Sequence, residues 1–226
     1  MKIKFSLLLL MVVFLISCKK NGGDPAPPAP ADTYFNNAAG SSWNYHSVDN
    51  SGLTPASDYT ITSTSRDTSI NGKTYHVYNN SDGGNQYLNI SGHDYYEFDS
   101  LPAGLGAGAI ERLYLKDNLG LSKTWSQDLS VTIPGFPLQI PFTVTNNITE
   151  KDVTRSVGGT NYSNVIHVTT TIHSSVIPSA SLETDIDSYY APKYGLIENS
   201  SVVHLNFSGI VQDLDTKTTL VSANLK

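Results

Sequence analysis

"YSNVIHVTTTIHSSV", Tyr162–Val176, decides the fold class. Ile166, Val168, Thr170 and Ile172 fall on one side of an extended chain, and His167, Thr169, Thr171 and His173 fall on the other. β-Branched residues at period two suit a pleated strand with one packed face and one wet face. The pattern recurs in "SVVHLNFSGIV", where Val203, Leu205 and Phe207 oppose His204 and Asn206. "SINGKTYHVY", Ser69–Tyr78, sets Asn71-Gly72 between β-formers, a hairpin signal because both residues tolerate positive φ. Further turn chemistry stands at "SDGGN", "SGHD", "KDNLG", "VGGTN" and "APKYG", and no segment beyond residue 32 carries a capped stripe of period 3.6. The expectation is an all-β domain over residues 33–226. It has ten or more antiparallel strands, arranged as one curved sheet, an open barrel or a sandwich.

The first 32 residues read differently. Lys2 and Lys4 precede an apolar run, Phe5–Ile16, of about a dozen residues, which is short of the roughly 20 a spanning helix needs and suits a secretory signal. Leu15-Ile16-Ser17-Cys18 follows, and resembles the lipobox of bacterial lipoproteins. That resemblance implies cleavage before Cys18 and acylation of its thiol and new amine, with residues 1–17 as signal peptide. Cys18 is the chain's one cysteine, which excludes an internal disulfide and cysteine-pair zinc sites. Residues 18–32, "CKKNGGDPAPPAPAD", then read as a tether: Gly22-Gly23 is flexible, and Pro25, Pro27, Pro28 and Pro30 favour extended polyproline II.

Charged residues make up 15% of the chain, and its net charge is −6; loss of residues 1–17 removes Lys2 and Lys4 and takes it to −8. Without basic clusters the body has no footprint for nucleic acid. "SSWNYHSVDNSG" with Trp43 and Tyr45, "LYLKDNLGLSKTW" with Trp125, and "DSYYAPKYGLIEN" with Gly195 follow one another in an order that resembles uncharacterised β-rich lipoproteins of the Bacteroidota. The resemblance implies a cell-envelope location, at the outer membrane with the leaflet open, and specifies no chemistry. By their residue types, Trp43, Tyr45 and Trp125 are expected in the core at strand starts, and Gly195 in a turn a Cβ would obstruct.

No G-x-S-x-G elbow or H-E-x-x-H pair is present. Gly104–Ala109 imitates a dinucleotide fingerprint without its flanking strand and helix, so no cofactor is expected. In "LETDIDSYY", Glu183, Asp185 and Asp187 share one strand face, a candidate set of hard oxygen ligands whose bland alternative is a solvated face. Glu97 and Asp99 form a second same-face carboxylate pair, and His167 and His173 read as surface histidines. Tyr95-Tyr96 and Tyr189-Tyr190 each place one ring on either face of a strand, so one of each pair is a candidate ligand contact. "VTIPGFPLQIPF", Val131–Phe142, is apolar at Ile133, Phe136 and Leu138, yet its three prolines argue against a continuous core strand. It reads as a lid over an apolar cavity, a docking patch or a loop folded back on the sheet.

These features point to a membrane-anchored envelope protein with a non-catalytic binding role, its ligand a glycan, a lipid or another envelope protein. The alternatives are an assembly component docking a partner through the 131–142 loop and, third, a glycan-acting hydrolase. An apolar cavity would favour lipid, an exposed tyrosine row glycan, and opposed carboxylates in a cleft the enzyme.

Overall fold

The computed structural model describes residues 33–100, 109–132 and 139–226. Twelve strands follow in chain order. The first six are β1 (Ser42–Asp49), β2 (Ser57–Ile70), β3 (Lys73–Asn80), β4 (Asn85–Ser91), β5 (Asp94–Ser100) and β6 (Ala109–Lys116). The second six are β7 (Thr124–Thr132), β8 (Gln139–Val157), β9 (Thr160–His173), β10 (Leu182–Ala191), β11 (Gly195–Phe207) and β12 (Ile210–Asn224). All pair antiparallel in one sheet of order β6-β5-β4-β3-β2-β1-β12-β11-β10-β9-β8-β7. Consecutive strands are neighbours except β6 and β7, which form the two edges, and β1 meets β12. The result is an up-and-down meander rolled into a nearly closed barrel: the antiparallel all-β class is as the alternation and turn signals predict, and the barrel is one of the arrangements they leave open.

The turns form for the expected reason. Asn71 (φ 51°) and Gly72 (φ 80°) are both left-handed, as a two-residue hairpin between right-twisted strands requires. Gly195 (φ 68°) opens β11, and a Cβ there would stand 3.0 Å from the Phe35 ring. Proline is less disruptive than expected: β7 reaches Thr132, and β8 contains Pro141 opposite Ser130. The β9 ladder begins only at Thr143, so Pro141 has a partner strand on one side and its missing N–H costs no bond.

The sheet's two edges, β6 and β7, are joined by side chains rather than by a backbone ladder. Trp125 Nε1 donates to Leu113 O at 2.9 Å, and Gln127 Nε2 donates to Glu111 O at 2.7 Å. Gln127 Oε1 accepts from Leu113 N at 3.0 Å. One glutamine amide thus presents the donor and acceptor that a neighbouring peptide would, and the seam's backbone groups are not left orphaned.

Meander topology gives the barrel two unlike ends. At the N-terminal end lie the segment Thr33–Ser41, the turns after β2, β4, β6, β8 and β10, and Lys226. Here Phe35 stacks on Trp43 (5.7 Å) and meets Tyr78 edge-on (4.9 Å). The segment is pinned by Tyr34 N to Tyr95 Oη, Tyr34 Oη to Asn164 O, and Lys193 N to Thr33 O. Trp43 and Tyr45 at the start of β1 and Trp125 at the start of β7 are buried, as their positions predict. At the far end, Val131, Ile140, Phe142, Ile177 and Leu205 form a separate apolar cluster.

Candidate functional site: the barrel lumen

Alternation along each strand sorts side chains into the lumen, and the lumen is graded along its axis. Nearest the far end it is wholly apolar. Leu129, Val131, Phe142, Ile172, Leu182 and Leu205 line a chamber of 50 Å³ there. It shares Leu129, Val144, Ile172 and Val203 with a larger cavity of 350 Å³ below, so the two adjoin. The walls of that cavity turn polar: Glu97, Arg112, Gln127, Asn146, Thr170, Ser188, Asn199, Ser201 and Thr218 face it. Deeper still, Phe35, Trp43, Tyr45, Tyr59, Tyr114 and Tyr190 surround a recess of 100 Å³ against the aromatic plug.

One ion pair sits in this interior. Glu97 and Arg112 are cross-strand partners on β5 and β6, and Arg112 Nη2 donates to Glu97 Oε2 at 2.7 Å. Arg112 keeps 47% of its side-chain surface accessible, but it opens on the cavity. Glu97 foremost, aided by Asp99, raises the guanidinium pKa above its already high value, so the group stays charged. The amides mostly serve the wall: Asn199 donates to Asp187 O and Ser188 Oγ and accepts from Ser201, while Asn146 Oδ1 accepts from Thr170. Burial pushes the phenols of Tyr59 and Tyr190 up to about 12 and keeps them neutral.

The residues singled out from sequence distribute across this frame. Tyr95 and Tyr190 are core, one from each tyrosine pair. Their neighbours face away from the lumen and are half-buried under cations: Lys73 Nζ lies 3.0 Å from the Tyr96 ring centre, and Arg155 lies 3.3 Å from that of Tyr189. Glu183, Asp185 and Asp187 share a face of β10, but residues two apart on a strand are separated by about 6.8 Å. No cluster of metal-ligating side chains forms among the described residues, and Asp187 pairs with His167 at 2.6 Å. His167 is not the free surface histidine its position suggests: it is 13% exposed, lies between Glu150 and Asp187, and stacks on Tyr189 at 4.0 Å. Cys18, residues 104–108 of the glycine-rich stretch, and Ile133, Phe136 and Leu138 lie outside the described residues. Val131, Ile140 and Phe142, which flank the last three, are buried in the far-end cluster.

Another constellation has the outline of a catalytic triad. Asp67 Oδ1 meets His76 Nδ1 at 2.8 Å, and His76 Nε2 meets Ser63 Oγ at 2.9 Å. Its surroundings fit a strut instead. Ser63 is buried, its hydroxyl donates to Asn37 O, and its N–H is taken by Ser41 O. A nucleophile needs access and an oxyanion site, and here the relay ties the irregular stretch of β2 to the N-terminal segment.

No protein-family model matches the sequence, and neither does any curated protein. Two solved structures superpose on the chain. A protein regarded as a lipoprotein, from Parabacteroides distasonis, superposes with a TM-score of 0.50 at 9% identity, over 85% of this chain and 99% of that one. A protein regarded as exported, with a YmcC-like fold, from Bacteroides fragilis, superposes with a TM-score of 0.42 at 9% identity over the same shares. At such identity the first likeness speaks for the fold alone.

Proposed function

We propose that this chain is a lipid-anchored envelope protein that binds a small amphiphile in its barrel lumen without transforming it. The observation that carries the reading is the gradient inside the barrel: an apolar chamber adjoining a 350 Å³ cavity whose walls turn polar with depth. Small-molecule sites run from about 300 to 1,000 Å³, with apolar walls and a few placed polar groups. An acyl chain toward the far end would gain about 0.8 kcal/mol per buried methylene. Roughly ten methylenes, about 8 kcal/mol, would offset the lower half of the 4–15 kcal/mol or so that association costs. The plugged N-terminal end makes the far end the natural mouth. Anchoring rests on the lipobox, with Cys18 as the acylated residue, residues 18–32 as tether and the outer membrane as expected location.

The experiment is titration of the full chain with N-phenyl-1-naphthylamine, an uncharged dye that brightens in apolar pockets, beside native mass spectrometry of protein isolated from its own envelope. Saturable brightening is expected, and Ile172→Trp, which fills the cavity wall, should abolish it while leaving the β-sheet circular dichroism unchanged. Dye binding unaffected by Ile172→Trp, or a bare mass with no dye binding, would sink the lumen reading.

A further inference from the structure

We infer that the lumen selects a single-chain amphiphile with an uncharged, oxygen-rich head, of the acylglycerol class, over the anion of a free fatty acid; this rests on the lumen reading above. The cavity sits at the small end of ligand sites, room for one chain rather than two. Its charge inventory and its uncommitted polar atoms decide the head.

Arg112 is the cation of the cavity wall, and it is already matched. Glu97 holds its Nη2, and Asp99, on the same face of β5 and opposite Ile110 of the wall, adds a second negative charge that acts on it. A carboxylate entering here would meet a guanidinium already matched by Glu97, whose own negative charge faces the same cavity and repels it. An anionic head is therefore disfavoured.

Uncommitted nitrogen donors nevertheless face or adjoin the cavity. Arg112 uses Nη2 on Glu97 and makes no other hydrogen bond among the described residues. Asn146 accepts through Oδ1 while its NH2 donates to nothing described. Trp43, which lines the adjoining recess, has a buried Nε1–H without a partner. A buried donor left unpaired is costly, so the Trp43 Nε1–H asks for an acceptor, and the free N–H groups of Arg112 and Asn146 offer further places for one. Ester carbonyl and glycerol hydroxyl oxygens supply acceptors without charge, and the hydroxyl protons find the second Glu97 oxygen.

The test is displacement of N-phenyl-1-naphthylamine from the full chain by 1-myristoylglycerol and, separately, by myristate, both below their aggregation thresholds at about pH 8. The ester should displace the dye at roughly tenfold lower concentration than the anion. Glu97→Gln should shrink the gap by strengthening myristate binding. Asp99→Asn, which spares the Glu97–Arg112 pair, should act the same way more weakly and covers the case in which Glu97→Gln fails to fold. Myristate binding as tightly as the ester, or a gap unmoved by both variants, overturns the inference. Bound dye displaced by neither lipid overturns it while leaving the lumen reading in place, whereas absence of dye binding removes both.

Discussion

The two ends of this barrel are built from the same twelve strands by the same alternation, yet they close differently. At the N-terminal end, rings do the filling and three phenols are anchored: Tyr34, Tyr45 and Tyr78 each donate a phenol hydrogen to a backbone or amide oxygen. At the far end, Val131, Ile140, Phe142 and Leu205 pack without polar anchors, and a chamber remains beside them. Aromatic rings with a hydrogen-bonded tip fix one arrangement; apolar side chains around a void do not. The difference assigns stability to one end and binding to the other, and each prediction below tests that division.

The largest expected effect is alkaline unfolding led by the tyrosine end. Burial pushes Tyr34, Tyr59 and Tyr190 up to about 12, against about 10 in the unfolded chain. Between those values the unfolded state has lost protons that the folded state keeps, so stability falls as pH rises from about 10 to 12 and is unaffected by these groups below that window. Three groups shifted by about two units each represent several kcal/mol, comparable with the whole stability of a domain. Tyrosinate absorbance at 295 nm should rise together with loss of the β-sheet signal. A gradual rise near pH 10 in a still-folded protein would break the division.

Trp43→Ala should come next, costing about 3–5 kcal/mol because it removes the ring on which Phe35 stacks and opens the buried end. Leu129→Ala, at the wall of the cavity, should cost only about 2 kcal/mol, since the neighbouring void already deprives that side chain of contacts. Urea melts compare the two directly, and equal costs would mean the far end is as tightly built as the near one. Gln127→Leu tests the seam that runs between the ends. It leaves Leu113 N–H and Glu111 C=O without partners, a cost of about 1–3 kcal/mol. Hydrogen exchange should then quicken in β6 and β7 and not in β1 or β12.

Much of this architecture is legible in the residues. Period-two alternation in Tyr162–Val176 becomes β9 with Ile166 and Val168 buried, and Asn71-Gly72 makes its hairpin. What is not legible is anything that depends on which strands become neighbours. Gln127 and Trp125 give no sequence sign that they stitch two sheet edges. The lumen draws its walls from strands spread over most of the chain, and no local pattern marks their convergence. Glu97 and Arg112 were closer to reach. Reading β5 and β6 as antiparallel neighbours in the register that pairs Glu97 with Arg112 would have located the interior ion pair; Asp94 and Lys116 pair one residue out of that register, across a bulge. The carboxylate row of β10 forms no cluster of ligating side chains among the described residues, and Asp187 is taken by His167, a partner on β9 that the row itself does not reveal.

The smallest expected effect concerns the outward tyrosines, and it is the sharpest test of where binding occurs. Tyr96 and Tyr189 lie on the opposite face from the lumen, each already covered by a cation, Lys73 and Arg155 respectively. Their aromatic faces are therefore occupied, and a sugar ring would have to displace a charged group to stack there. Tyr96→Ala and Tyr189→Ala should each cost roughly 0.5–1 kcal/mol in stability, the worth of a partly exposed cation–π contact. Both should leave dye binding in the lumen unchanged. If either variant instead abolished binding of a glycan probe that the parent protein retains on an oligosaccharide array, the working face would be the outside of the barrel. The graded interior would then be a consequence of rolling twelve strands around a lumen that side chains do not quite fill.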